Sequence, residues 1–229
     1  MAIRLLSLRP MKTIRSAYSE GGLKTVILRS LKKMLLPVVR MGGLVFVECD
    51  LRKLLPEKEE LPGVVAREAV VGDGKLFKNQ EVFLERINAG HRCFVGIDSA
   101  TGKLANYRWV ATSGAYIPEI DRFIILKPGE TYTFDLETLP EFRRRGIDSY
   151  MRRYIYQRLK EQGFTRVYSY VRADNFPMFR SSRRLLRPIG RVWYVQVRGF
   201  KCLVFGERRF RLPELVTSYS RGVQAAESG

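Results

Sequence analysis

The 229-residue chain has three cysteines, Cys49, Cys93 and Cys202, widely spaced and with no CxxC pair. An odd, scattered set supports neither a disulfide framework nor a zinc site. Each is expected to behave as a small buried hydrophobe. Histidine is scarcer still: His91, in "NAGHRCF", is the only one. Serine–histidine–aspartate chemistry would have to run through it, and no nucleophile elbow accompanies it. No apolar run is long enough to cross a bilayer as a helix. The first residues, "MAIRLLSLRPMKTIRSAYSE", carry arginines and serines without a secretory apolar core or cleavage site. They are expected to form a loosely ordered extension of a cytoplasmic protein. Acidic residues are also few: 23 Asp and Glu against 41 Lys and Arg leave a net charge of +18. Such a surface favours anionic partners, whether nucleic acid, acidic lipid, phosphorylated ligand or acidic protein, and does not choose among them.

What is present supports a sizeable core. Hydrophobic residues make up 45% of the chain, with 13 Phe and 11 Tyr, which argues against disorder. Gly22 to Arg40 has helical periodicity, with Leu23, Ile27, Leu31, Met34 and Leu35 on one stripe and Lys24, Lys32 and Lys33 away from it. A basic amphipathic helix can lie on an anionic membrane surface or pack on its own domain. Pro37 is expected to end or kink it. Strands are expected at "GLVFVECDL" (43–51), "RCFVGID", "LANYRWVAT", within "DRFIILKPGETYTFDLETL", at "TRVYSYV", and in a closing hairpin of "RVWYVQVRG" and "KCLVFGE". "GVVAREAVV" reads as extended or loop-like. Helices are expected over Lys78–Gly90, from Gly146 to Gln162, and in "RADNFPMFRSSRRLL". On the 146–162 helix, Ile147, Tyr150, Met151, Tyr154, Ile155 and Leu159 form an apolar face, and the charged residues, Arg152 among them, mostly lie elsewhere. The tail from Val216 reads as frayed. Helices, a meander of strands, a helix between neighbouring strands and a hairpin make an α+β pattern with a mixed sheet.

One stretch carries chemistry: "LPEFRRRGIDSYM", Leu139 to Met151. Arginines at a helix start oppose the helix dipole, so an anionic ligand is the natural reason for them. A glycine turn feeding a helix points several N–H groups into one space, which suits phosphate, and arginine forks well onto phosphate oxygens. Strict alternation in the preceding strand puts Thr131, Thr133, Asp135 and Glu137 on one face and Tyr132, Phe134, Leu136 and Thr138 on the other. The carboxylates can serve as a general base or as solvent-facing partners of nearby arginines.

Phe134 to Gly190 resembles the core of the GNAT acyltransferase superfamily, and the similarity extends over roughly residues 90 to 206. Arg143, Arg144, Arg145, Gly146, Ile147 and Asp148 match the superfamily's Arg/Gln-x-x-Gly-x-Gly/Ala loop, and "VRADN" supplies its asparagine, Asn175. The resemblance implies a mixed, mostly antiparallel twisted sheet with flanking helices and a splayed parallel strand pair, here 131–138 and 165–171. It implies that an acetyl-CoA or other acyl-thioester co-substrate lies between those strands and that no metal is needed. The donor would be held by Leu139, Arg143, Arg144, Arg145, Gly146, Ile147, Asp148, Asn175 and Phe179. An amine would attack the thioester directly, with Glu137 or Asp135 as base. Asp148 departs from the superfamily's Gly or Ala, and no tyrosine follows Asn175, so Tyr168 or Tyr170 would have to donate the proton to the leaving thiolate.

The implied organisation is a basic extension over 1–41, an acyltransferase domain over 42–213 and a tail over 214–229. The implied acceptor is a small-molecule or peptide amine. Asp148 and the net charge of +18 lean toward acyl carrier protein as donor, with "RRRGIDSYMRR" and "RSSRRLLR" as a basic face. Two further readings stay open: a non-catalytic acyl-ligand sensor, and a nucleic-acid binder using Tyr107, Trp109, Trp193 and Tyr194. A cytoplasmic location, with a membrane-peripheral variant, is the expectation.

Overall fold

A computed structural model describes residues 39–55, 60–175, 185–197, 200, 202–206 and 214–217. The chain divides into two compact units. One comprises Met1–Met41 with Val195–Leu203, the other Gly42–Tyr194 with Val204–Gly229. The expected helix over 22–40 lies outside the described residues as far as residue 38, and so do residues 176–184 of the expected third helix. Val39 and Arg40 belong to a strand, not to the end of a helix.

The strands are β1 (Val39–Asp50), β2 (Val64–Glu68), β3 (Arg92–Asp98), β4 (Leu104–Ala111), β5 (Gly114–Ile117), β6 (Arg122–Ile125), β7 (Glu130–Thr138), β8 (Arg166–Arg172), β9 (Arg187–Val197), β10 (Leu203–Phe205) and β11 (Glu214–Thr217). The helices are α1 (Gln80–Asn88) and α2 (Ile147–Glu161). Eight strands form one sheet in the order β10-β9-β1-β8-β7-β4-β3-β2, and β11-β6-β5 form a second. The ladders from β2 to β7 are antiparallel, as is β1 on β8; β7 and β8 are parallel. This is the mixed, mostly antiparallel sheet with one parallel pair that was expected.

Local signals account for the elements near the site. Asn79 caps α1 by accepting from the Val82 N–H at 3.3 Å. The β3–β4 turn is held by Asp98, which accepts from Thr101 N at 3.0 Å and from Thr101 Oγ1. α2 crosses from β7 to β8 and buries Ile147, Met151, Ile155 and Leu159 at four-residue spacing. Each such side chain contributes about 1.5–3 kcal/mol when fully buried. Gly96 on β3 lets α2 come close, since a Cβ there would stand 3.0 Å from Met151 Sδ.

Four expectations are corrected. β1 starts at Val39 rather than Gly43, and Leu51 leaves it for a 3-10 turn capped by Asp50. Arg152 is fully buried rather than on the polar side of α2, because Asp148 binds it one turn earlier. Val216 is not frayed: Glu214–Thr217 pairs with β6, Leu215 opposite Ile124, covering an otherwise open edge. The alternation along β7 breaks at Asp135.

Candidate active site

β7 and β8 pair at only three positions, Glu130↔Arg166, Thr131↔Val167 and Tyr132↔Tyr168. One step further, side chains replace the ladder: Ser169 Oγ donates to Thr133 O at 2.9 Å. Beyond that, β7 stays on β4 as far as Asn106↔Thr138, and β8 stays on β1 as far as Leu44↔Arg172. The parallel pair therefore opens into a V, and the β8-facing edge of β7 beyond Thr133 has no strand partner among the described residues.

At the mouth of the V the chain makes a 3-10 turn, Pro140–Phe142, and enters the arginine loop. Arg144 (φ +65°) and Gly146 (φ +75°) are both left-handed. Two such residues so close together turn successive N–H groups toward one side. Leu139 N–H is taken by Ala105 O at 3.0 Å, Arg143 N–H by Pro140 O at 3.3 Å, and Tyr150 N–H by Gly146 O at 3.1 Å. Among the described residues, the N–H groups of Arg144 through Ser149 reach no backbone acceptor, and no side chain caps α2. Arg144, Gly146, Ile147, Asp148 and Ser149 line a cleft of about 550 Å³ at this helix start. Of the expected residues, Glu137, Arg143, Arg144, Gly146, Ile147, Asp148 and Asn175 line it. Leu139 packs into the hydrophobic core, and Arg145 lies over the Phe142 ring at 5.4 Å. Phe179 lies outside the described residues.

Asp148 turns toward the sheet. Its Oδ1 accepts from Arg108 Nη2 at 2.9 Å and its Oδ2 from Arg152 Nη2 at 2.6 Å. Both arginine side chains are 1% exposed, against 26% for Asp148. Burial, and then the positive charge of Arg108, lower the pKa of Arg152. The carboxylate that departs from the superfamily's Gly or Ala is held between two cations.

Asp135 has φ +40°, and the β4–β7 register slips beside it, from Tyr107↔Glu137 to Trp109↔Phe134. This is a β-bulge. Asp135 and Glu137 therefore do not share a face with Thr131 and Thr133, as alternation required. Glu137 stands with Phe134 on the α1 side, where Tyr107 OH donates to its Oε2 at 3.3 Å and Arg143 Nη2 to its Oε1 at 3.4 Å. Asp135 is ion-paired with Arg86 of α1, whose guanidinium lies over the Trp109 and Phe134 rings. Tyr168 sits at the closed end of the V, donating to Glu130 Oε1 at 3.0 Å and accepting from Arg166 at 3.2 Å. Tyr170 lies two residues into the open part, stacked on Tyr132 at 6.4 Å and hydrogen-bonded to Glu119. Burial above all raises the pKa of Tyr107, Tyr168 and Tyr170.

Sequence reasoning missed Arg86, Arg108 and Glu119, and named Tyr107 only as a nucleic-acid contact; all four reach their partners through long-range pairing. The bulge left one signal, since aspartate, here Asp135, is among the few residues that tolerate left-handed backbone. His91 is half-buried with its ring edge on Phe134, centroids 5.2 Å apart, and burial followed by Arg86 lowers its pKa. Among the described residues, no group of three His, Cys, Asp or Glu side chains could hold a metal ion.

Residues 70–184, half of the chain, match the model of the acetyltransferase (GNAT) family. No curated protein matches the sequence. A GCN5-related N-acetyltransferase from Sphaerobacter thermophilus is similar in structure at 14% identity and a TM-score of 0.50, over 84% of this chain and 71% of that one. A Drosophila protein is similar at 12% identity and 0.50, over 75% and 57%. A GNAT-family protein from Novosphingobium aromaticivorans is similar at 17% and 0.48, over 69% and 64%. At these identities the likeness is one of fold. The match spans less than two thirds of the Drosophila and Novosphingobium chains.

Proposed function

Since this chain belongs to the acetyltransferase (GNAT) family, we propose that it transfers an acetyl or longer acyl group from a thioester donor, acyl-CoA or acyl carrier protein, to an amine by direct attack. The observation that carries this reading is the V between β7 and β8, with the loop Arg144–Ser149, whose N–H groups reach no backbone acceptor, following the end of β7. A pantetheine arm fits an opening between two strands, where it can meet the unpaired edge of β7. The phosphate at its end fits main-chain donors without backbone acceptors at a helix start. Exposed Arg143 and Arg144 add charge at the same mouth. The residues present therefore suit a phosphopantetheine-bearing donor. When bound, that donor supplies the activated acyl group.

The chain supplies position and proton handling. Holding amine and thioester together removes much of the entropic barrier. Glu137 is the base: it lines the cleft, and its hydrogen bonds to Tyr107 and Arg143 are long and exchangeable. Asp135 is the weaker candidate, because Arg86 of α1 occupies its carboxylate. Tyr170 is the proton donor to the thiolate. It lies in the open part of the V, and burial keeps its phenol protonated at neutral pH. Tyr168, tied to Glu130 and Arg166 at the closed end, serves packing.

Single-turnover assays with acetyl-CoA, long-chain acyl-CoA and acyl carrier protein against a panel of amines test the reading. Acyl transfer from any donor supports it. Tight donor binding without transfer to any amine would leave a sensor instead. Salt-sensitive turnover with the carrier-linked donor alone would identify the acidic protein as partner.

A further inference from the structure

We propose that Asp148 is a positioning residue for the donor: with Arg108 and Arg152 it forms a buried clamp that fixes the first turn of α2 and presents a net positive field to the donor's phosphate. The inference rests on the donor reading above and deepens it.

Asp148 is the second residue of α2 and lines the cleft, and its own N–H is one of the six without a backbone acceptor. Its two carboxylate oxygens are each engaged. Arg108 reaches Oδ1 from β4, 40 residues away in sequence, and Arg152 reaches Oδ2 from one turn along the same helix. The carboxylate thus ties the helix start to the sheet and to its own second turn. A helix whose first turn lacks a side-chain cap would otherwise fray there. The three N–H groups of Ile147, Asp148 and Ser149 are held in the orientation that a phosphate needs.

The charge follows from the same geometry. One carboxylate lies between two guanidiniums that are almost wholly removed from water. Seen from the cleft, at a distance longer than the spacing within the cluster, two positive charges and one negative sum to attraction for an anion. Low local dielectric makes that attraction stronger than the same charges would give at the surface. Asp148 therefore does not repel the donor, as its charge alone would. Removing it exposes two buried guanidiniums to each other and releases the helix start.

The test uses CoA as probe on the full chain. Wild-type binding is measured first by calorimetry; a wild type that binds neither CoA nor carrier protein overturns the donor reading itself. With wild-type binding in hand, Asp148→Ala is expected to raise the KM for the acyl-CoA donor by about tenfold or more, a loss of about 1.4 kcal/mol of binding. kcat at saturating donor should change much less, a split that general loss of fold would not give. If Asp148→Ala does not fold, the triple variant R108M/D148A/R152L carries the test. It removes the buried charges together, a change that folds tolerate, and it is expected to melt cooperatively yet bind CoA more weakly than wild type. Either variant binding CoA as tightly as wild type, or tighter, overturns the proposal.

Discussion

Alanine in place of Gly146 adds one methyl group at φ +75°, where a Cβ would meet nothing within 4 Å. Steric clash is excluded, so the effect is purely conformational. A left-handed L-residue costs about 1–2 kcal/mol. The stiffer unfolded chain returns about 0.4–1 kcal/mol of that. If the loop holds its shape, net stability falls by about 1 kcal/mol, or about 2–4 °C in Tm for a chain of this size. CoA affinity is then unchanged. If the loop instead relaxes, Tm holds, and binding must restore the strained form. Affinity then drops by about 5–30-fold, the equivalent of 1–2 kcal/mol. Thermal melting and calorimetry on one preparation read both quantities. A variant in which neither Tm nor CoA affinity moves would refute the idea that this left-handed turn is the donor-bound conformation.

Glu137→Gln is expected to lower kcat by about 10²–10⁴-fold with little change in CoA affinity, while Asp135→Asn costs much less; steady-state kinetics with saturating donor separates the two. The lowered pKa of His91 makes the unfolded chain take up a proton that the folded chain resists. Stability should therefore fall as pH drops below about 6.5, and His91→Phe should flatten that part of the profile in urea melts run from pH 7 to 5. All three thiols are buried, and burial raises Cys49 to about 11 and Cys93 further. Native protein should react with a thiol reagent only at the rate of unfolding, with all three titrating at once in denaturant.

Much of this architecture is written locally. The "SATGK" turn, the α2 stripe and the glycine before it each specify their own element, and the arginine loop marks the candidate anion site. What was missed is non-local. The bulge at Asp135 depends on β4 continuing past it in a new register, and a two-residue alternation cannot foresee that slip. The meaning of Asp148 depends on Arg108, which no local pattern connects to it. Arg152 is the local exception: it reads as a surface residue because burying a guanidinium is costly without a partner, and the partner that offsets the cost, Asp148, lies one turn earlier on the same helix. β11 finds its place only through β6, ninety residues earlier.

The central claim concerns six main-chain N–H groups. Titration of ¹⁵N-labelled protein with CoA, and separately with phosphopantetheine-bearing carrier protein, observes them directly. The account predicts that the amide resonances of Arg144 through Ser149 shift first and furthest, saturating together with one affinity. Saturable binding that leaves those six resonances in place, with the shifts elsewhere on the molecule, would contradict it.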